Sequence, residues 1–365
     1  MAAGEDLASG KAWSMFCRAL EEAGHELRRP TAPSAPVDLA ESHRFLTQMV
    51  RSAFELIMEG GDPAFPVMVP SLHETLKLGW DNPDNLHSNA HIRNEYEYRL
   101  WGTRGEAHYV SIAVYAGSYG KGGGRTVAYR ELDELEVAAD GRFEVILSQK
   151  EHPGNWIPLA PGTTTLMIRQ TFWDRTREQP GVFQIERLGA EGPPPPLSPE
   201  FVEAALRRAA QYIRGANRIF FDFADGWREH PNTFVPADEE KQASLQGIPG
   251  NRMTYGWWKL GPDEAAVIDF SPPECRYWGF VLSNYWGQSF DYRTRPIHTN
   301  ARRAVRRDDG SVRIVVAHRD PELPGANWID TAGHGEGVWN FRWLHAEEHL
   351  IPEARIVKWA DRSDF

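Results

Sequence analysis

Near the carboxyl end the chain writes Gly333-His334-Gly335-Glu336-Gly337, an imidazole and a carboxylate two positions apart among glycines. Histidine titrates near neutral pH and glutamate can exchange protons with it, so the pair suits general acid–base chemistry. The glycines would let backbone approach a bound molecule closely. Upstream, His318 with Asp320 and His298 with Asn300 supply further groups of the same kind. His334, Glu336, His318, Asp320 and His298 are therefore the candidate catalytic set. A second constellation is His87, Asn89, His91 and Arg93, whose alternate spacing places them on one face of a strand. Such a row could line a cleft and orient a ligand, although a solvent-facing strand face or a capped glycine turn would also use these residue types.

Motifs with stricter spacing are mostly absent. The segment GSYGKGGGR (117–125) lacks the serine or threonine and the helix of a phosphate loop and reads as a hairpin tip. The dinucleotide fingerprint fails at Val338, and no G-x-S-x-G elbow occurs. HAEEH (345–349) does fit H-x-x-E-H, which on a helix would hold zinc between His345 and His349 with Glu348 as base. Its counterpart in the internal repeat described next is a connection between strands, and Pro352 leaves little room for a helix. The expectation is no metal and no organic cofactor.

Those candidates sit in a duplicated scaffold. Pro153-Gly154-Asn155-Trp156-Ile157 returns as Pro324-Gly325-Ala326-Asn327-Trp328-Ile329. Upstream, DGRFEVILSQ parallels DGSVRIVVAH, with Asp140 and Asp309 169 apart and Asn155 and Asn327 172 apart. Arg169 and Arg342 match downstream and could serve buried carbonyls or clamp an anion, Arg342 being a candidate ligand contact. The shared Pro83-Asp84 and Pro262-Asp263 suggest a spacing of 179 further back. That spacing aligns His87 with Ala266 and makes LWGTRGEAHY (100–109) an extra hairpin of the first copy. The Asn of the repeated phrase should bond local backbone while its Trp anchors a core.

Each copy opens with a helical stripe: Phe45, Leu46, Met49, Val50, Ala53, Phe54 and Ile57 in one, and Val202, Ala205, Leu206, Ala209 and Ile213 behind Ser198-Pro199 in the other. Short period-two runs then follow, punctuated by Gly, Pro and Asp-Gly. The fold class is thus mainly β with helices (α+β): two tandem helix-plus-antiparallel β-sandwich or jelly-roll-like units. The expected divisions are a helical segment at 1–37 packed on the first copy, repeats at 38–190 and 198–365, and a stiff Pro-rich linker at 191–197.

Composition bounds the rest. Forty basic and fifty-one acidic residues give a net charge of −11, and the basic residues are scattered, which argues against nucleic acid as a partner. No signal-like h-region or long apolar run is present, and Cys17 and Cys275 lie far apart. A cytoplasmic protein without a membrane partner is expected.

DNPDNLHSNAHI, GNWIPLAPGTTTLMIRQTF and DGSVRIVVAHRDPELPGANWIDTAGHGEGVWNFRW resemble the bacterial domain-of-unknown-function family numbered 1214, often seen beside a partner domain numbered 1254. The resemblance implies a β-sandwich and brings no catalytic residues with it. The leading functional expectation is a cofactor-independent enzyme of hydrolase or lyase type, acting on a small, partly apolar metabolite. The alternative is a non-catalytic sandwich binding a sugar or aromatic ligand, with Trp278, Tyr285 and Trp286 stacking on it. A zinc hydrolase stands behind both.

Overall fold

The computed structural model describes residues 4–118, 123–238, 240, 242 and 246–365, so the tip of the GSYGKGGGR hairpin lies outside the described residues. Helices α1 (Glu5–Ala8), α2 (Lys11–Glu26) and α3 (Pro36–Ala53) come first, and α3 runs on into a π-helical turn, Phe54–Glu59. The first set of strands is β1 (Val69–Leu72), β2 (Asn85–His91), β3 (Tyr98–Gly105), β4 (Tyr109–Ser118), β5 (Gly123–Glu131), β6 (Arg142–Ser148), β7 (Trp156–Pro158), β8 (Thr163–Thr171) and β9 (Pro180–Arg187). Then α4 (Pro199–Arg228) precedes β10 (Val235–Pro236), β11 (Asn251–Lys259), β12 (Glu264–Phe270), β13 (Tyr277–Ser283) and β14 (His298–Asn300). The second set ends with β15 (Val312–Ala317), β16 (Ala326–Asp330), β17 (Glu336–Leu344) and β18 (Ala354–Lys358).

Two sandwiches with one topology result. The five-stranded sheets run β1-β2-β8-β4-β5 and β10-β11-β17-β13-β14, and the four-stranded sheets run β7-β6-β3-β9 and β16-β15-β12-β18. Alternation along the strands gives each sandwich its own core: Leu100, Ile112, Val145, Leu147, Leu166 and Ile168 in the first, Ile268, Phe280, Ile314, Val316, Phe341 and Trp343 in the second.

The repeated Asn is scaffold in both copies. Asn155 donates to the Glu136 and Glu144 carbonyls and accepts from Glu136 N–H; Asn327 donates to the Val305 and Arg313 carbonyls and accepts from Val305 N–H. One amide thereby fixes a turn to a strand with three hydrogen bonds. The following Trp is not a core anchor as expected. Trp156 and Trp328 lie half-buried, because each indole N–H stays at the sheet edge to reach a backbone carbonyl, Ser148 at 3.2 Å and Ala317 at 3.1 Å.

Strand pairing corrects the spacing of 179. His87 pairs with Arg169 and Met253 pairs with Arg342, so β2 corresponds to β11 at an offset of 166. His87, Asn89 and His91 therefore match Met253, Tyr255 and Trp257. The shared Pro-Asp dipeptides occupy different turns, and residues 98–105 form β3, the counterpart of β12 in the other half and not an insertion.

The helices also depart from expectation, forming one layer instead of separate caps. The buried face of α2 is Ala12, Phe16, Ala19 and Ala23, while Trp13 is 54% exposed. Phe16 joins Phe45 and Met49 of α3 and Leu206, Ile213, Phe220 and Phe221 of α4 in a core that reaches Trp257 and Val338 of the second five-stranded sheet. A 30-residue amphipathic α4, capped by Ser198 and led by Pro199, is long enough to serve both halves. Among the described residues no helix is long and apolar enough to cross a membrane.

Candidate functional site

The structure disperses the candidate catalytic set. His334 is 1% exposed and turns to α3, with Nδ1 2.9 Å from Asp38 Oδ1, Nε2 3.3 Å from Glu41 Oε2, and its ring stacked on Phe290. Burial disfavours its charge, but the two carboxylates prevail and raise the imidazole to about 9. Glu336 instead holds Arg228 of α4 at 2.6 Å and accepts from the Trp257 indole at 3.3 Å. His318 lies between Thr331 Oγ1 and the Gly261 carbonyl, and Asp320 closes a local turn by accepting from Glu322 N–H. His298 meets Asp84, which also accepts from Tyr277 and Asn300 and so ties the halves together. None of the five lines either of the two cavities described below. His334 and Glu336 are drawn apart by partners on α3 and α4, while His318, Asp320 and His298 are held by groups on loops.

The other candidates divide. Tyr285 and Trp286 are core residues, 1% and 0% exposed, with Tyr285 donating to Asp225 and Trp286 to the Asp38 carbonyl; Trp278 is likewise buried. They cannot stack on a ligand. Residues 345–349 form no helix: His345 reaches Glu131 at 2.5 Å and His349 reaches Thr254 at 3.0 Å, so the zinc geometry is not made.

His87, Asn89, His91 and Arg93, by contrast, all line a cavity of about 960 Å³ between the first sandwich and the helix layer. Even-numbered neighbours such as Ala90 and Ile92 turn into the sandwich, so the odd-numbered row faces outward. Leu56 and Ile57 of the π-helical turn, Leu72, Leu78, Met167 and Tyr212 add apolar wall, and Arg125 and Arg208 add charge. The turn ends at Gly60-Gly61, where a Cβ on Gly61 would run into the Ile57 carbonyl. π-Helical segments recur at functional sites, and this one brings α3 down onto the cleft. Ser71 Oγ donates to Asn89 Oδ1 at 2.8 Å and fixes that side chain.

A second cavity of about 440 Å³ continues the first, sharing Leu72, Leu78, His87, Met167 and Gln246. Its floor carries Arg169 and Arg342, 5% and 8% exposed. They are related by the duplication and cross over between halves. Arg169 donates to the Gln246 carbonyl and to Tyr115 Oη, and Arg342 donates to the Trp80 carbonyl and to Asn340. Gln246 and Trp80 are themselves 166 apart, and both adopt positive φ, 63° and 55°. Each half thus presents a left-handed carbonyl to the arginine of the other.

These cations shape the imidazoles. Burial first, then Arg169 and Arg342, hold His87 well below its ordinary value; burial, Arg208 and Arg93 pull His91 to about 4. Both rings are neutral at neutral pH, and His87 Nδ1 has no hydrogen-bond partner among the described residues. Arg208, whose Nη2 donates to the Ile57 carbonyl, has its own proton affinity lowered by burial and by Arg93. Sequence reasoning missed Arg208 and Tyr212. Their signal was present: on a helix both share the face of Ala205 and Ala209, so a charged residue interrupts an apolar stripe.

A solved structure described as a putative uncharacterized protein from Burkholderia cenocepacia is 38% identical, with a TM-score of 0.95, over 98% of this chain and 99% of that one. The VPA0106 protein from Vibrio parahaemolyticus is 11% identical, with a TM-score of 0.47, over 87% of this chain and 98% of its own. No curated protein matches. A family model matches residues 86–171, the stretch from β2 through β8, and residues 266–348, from β12 past β17. With the module found once in each sandwich, the chain belongs to the family described as Protein of unknown function (DUF1214).

Proposed function

We propose that this protein binds a small, partly apolar metabolite in the cleft between its first sandwich and the helix layer, and that the His334 and Glu336 region serves structure and not acid–base turnover. The observation that carries the reading is the outward row of β2. His87, Asn89 and His91 face a cavity of about 960 Å³ with leucine, isoleucine and methionine walls, the mixture of apolar enclosure and few polar groups that ligand sites share. A cytoplasmic setting fits two cysteines that are unpaired in the fold.

A ligand-observed NMR screen of small metabolites against the parent protein and Met167→Trp tests it. Met167 lines both cavities, so a bulkier side chain there should abolish binding of most hits while leaving the melting temperature within a few degrees. Hits that bind the variant as well as the parent, or no hits at all, would refute the cleft as the site.

A catalytic use of the same cleft has one observation in its favour, the unpartnered and neutral His87, which could accept a proton from a bound substrate. Turnover of a hit that survives His87→Gln would remove that second reading.

A further inference from the structure

Arg169 and Arg342 bring two guanidinium charges to the deep end of the cleft, each more than nine-tenths buried. Buried charges are ordinarily paired, because withdrawing an ion from water costs far more than carbonyl dipoles return. Among the described residues no carboxylate forms an ion pair with either arginine, whereas the neighbouring buried carboxylates are already engaged: Asp84 by Tyr277, Asn300 and His298, Asp81 by Ser289, and Glu131 by Arg276 and His345. The arginines open onto a cavity of about 440 Å³. At its junction with the outer cleft stands His87, with Nδ1 unsatisfied.

Resting on the cleft reading above, we infer that this inner cavity holds an oxyanion head group, a carboxylate or a phosphate, between Arg169 and Arg342, while the apolar body of the ligand extends past His87 and Met167 into the outer cleft. Three features agree with that orientation. Guanidinium N–H groups match oxyanions in geometry as well as charge. Each arginine is braced by a carbonyl from the opposite half, so the two forks are held before a ligand arrives. A neutral His87 can donate from one ring nitrogen or accept at the other, depending on its tautomer, and thus contact the head group. The site is composite, since one arginine comes from each sandwich. A ligand seated there would reinforce the junction of the halves.

Isothermal titration calorimetry with decanoate, decyl phosphate and the neutral decanamide tests the assignment on the parent chain. At least one of the two anions should bind about tenfold or more tightly than the amide, and whichever anion binds better identifies the head group. Arg342→Met and Arg169→Met should remove that preference, while Arg208→Gln, at the outer cleft, should retain most of it. If the arginine variants do not fold, the anion-to-amide ratio in the parent still decides. Equal binding of all three compounds, abolished by Met167→Trp, would overturn the head-group assignment and leave the cleft standing. A preference that vanishes in Arg208→Gln but persists in Arg342→Met would move the anion to the outer cleft and also overturn it. No binding by any of the three, together with an empty metabolite screen, would bring down the cleft itself.

Discussion

The outward faces of β2 and β11 are twins by position and opposites in content. On β11, Tyr255 meets Trp80 and Trp227, with Trp227 stacked on it at 4.5 Å, and Trp257 is edge-on to Tyr285 at 6.0 Å, while Met253 and one side of Tyr255 border the smaller cavity. On β2, His87, Asn89 and His91 border the larger cavity, with Asn89 held by Ser71 and His91 against the Leu56 and Gly60 backbone. One copy of the module has become a seat for the helix layer and the other has stayed hollow. Duplication makes this division possible, because a face filled in one copy secures the molecule while its twin is released from packing duty.

The sharpest way to break that comparison is to empty the full face. Trp257→Ala should cost about 3–5 kcal/mol in a denaturant titration, the range for deleting a buried tryptophan. His91→Ala, at the twin position, removes a ring that already borders a cavity and should cost less than about 1 kcal/mol. Similar losses at both positions would mean that the hollow face packs as tightly as the full one.

How much of this was legible from the residues depends on the range of the forces involved. The duplication and the Asn turns were readable because Asn155 and Asn327 bond backbone within about twenty positions, so their sequence context is preserved with them. The outward row of β2 was readable from alternation alone. Its twin was misplaced because a coincidental Pro-Asp dipeptide outweighed the register, which only the cross-strand partners Arg169 and Arg342 define. The fate of His334 was hidden for a different reason. Its partners Asp38 and Glu41 lie on a helix almost three hundred positions earlier, and no local pattern announces a contact of that span.

Titration should separate the two halves next. Folding raises the proton affinity of His334, so its stabilisation is complete below the unfolded value of about 6.5 and fades as pH climbs through about 9, a loss of about 3 kcal/mol. His91, drawn down to about 4, acts in the opposite sense, contributing above about 6.5 and losing that contribution as pH falls towards 4. His334→Gln should therefore flatten the alkaline limb of the stability profile and His91→Asn the acid limb. A parent profile unchanged by either variant would detach these histidines from the difference between the faces.

Grafting would sharpen the comparison further. The triple substitution His87→Met, Asn89→Tyr and His91→Trp writes the full face onto the hollow one. Stability should move by about 1 kcal/mol or less, since the new side chains enter existing space, while ligands found in the metabolite screen should lose binding altogether. Retained binding would show that the row does not line the working cleft.

The smallest expected effect is a null difference, and it tests the premise of twinship. Asn155→Ala and Asn327→Ala each remove three hydrogen bonds to backbone groups near the surface, where water can replace part of what is lost. Each should cost about 1–2 kcal/mol, and the two costs should agree within about 0.5 kcal/mol, because the bonded groups correspond one to one. Urea unfolding of the two variants under one set of conditions measures the difference directly. Equality would place the repeated phrase wholly on the scaffold side, leaving the divergent β2 face to carry function. A gap of about 2 kcal/mol or more would show that one turn bears a load its twin does not, and the division of labour would then extend beyond the outward strands into the frame itself.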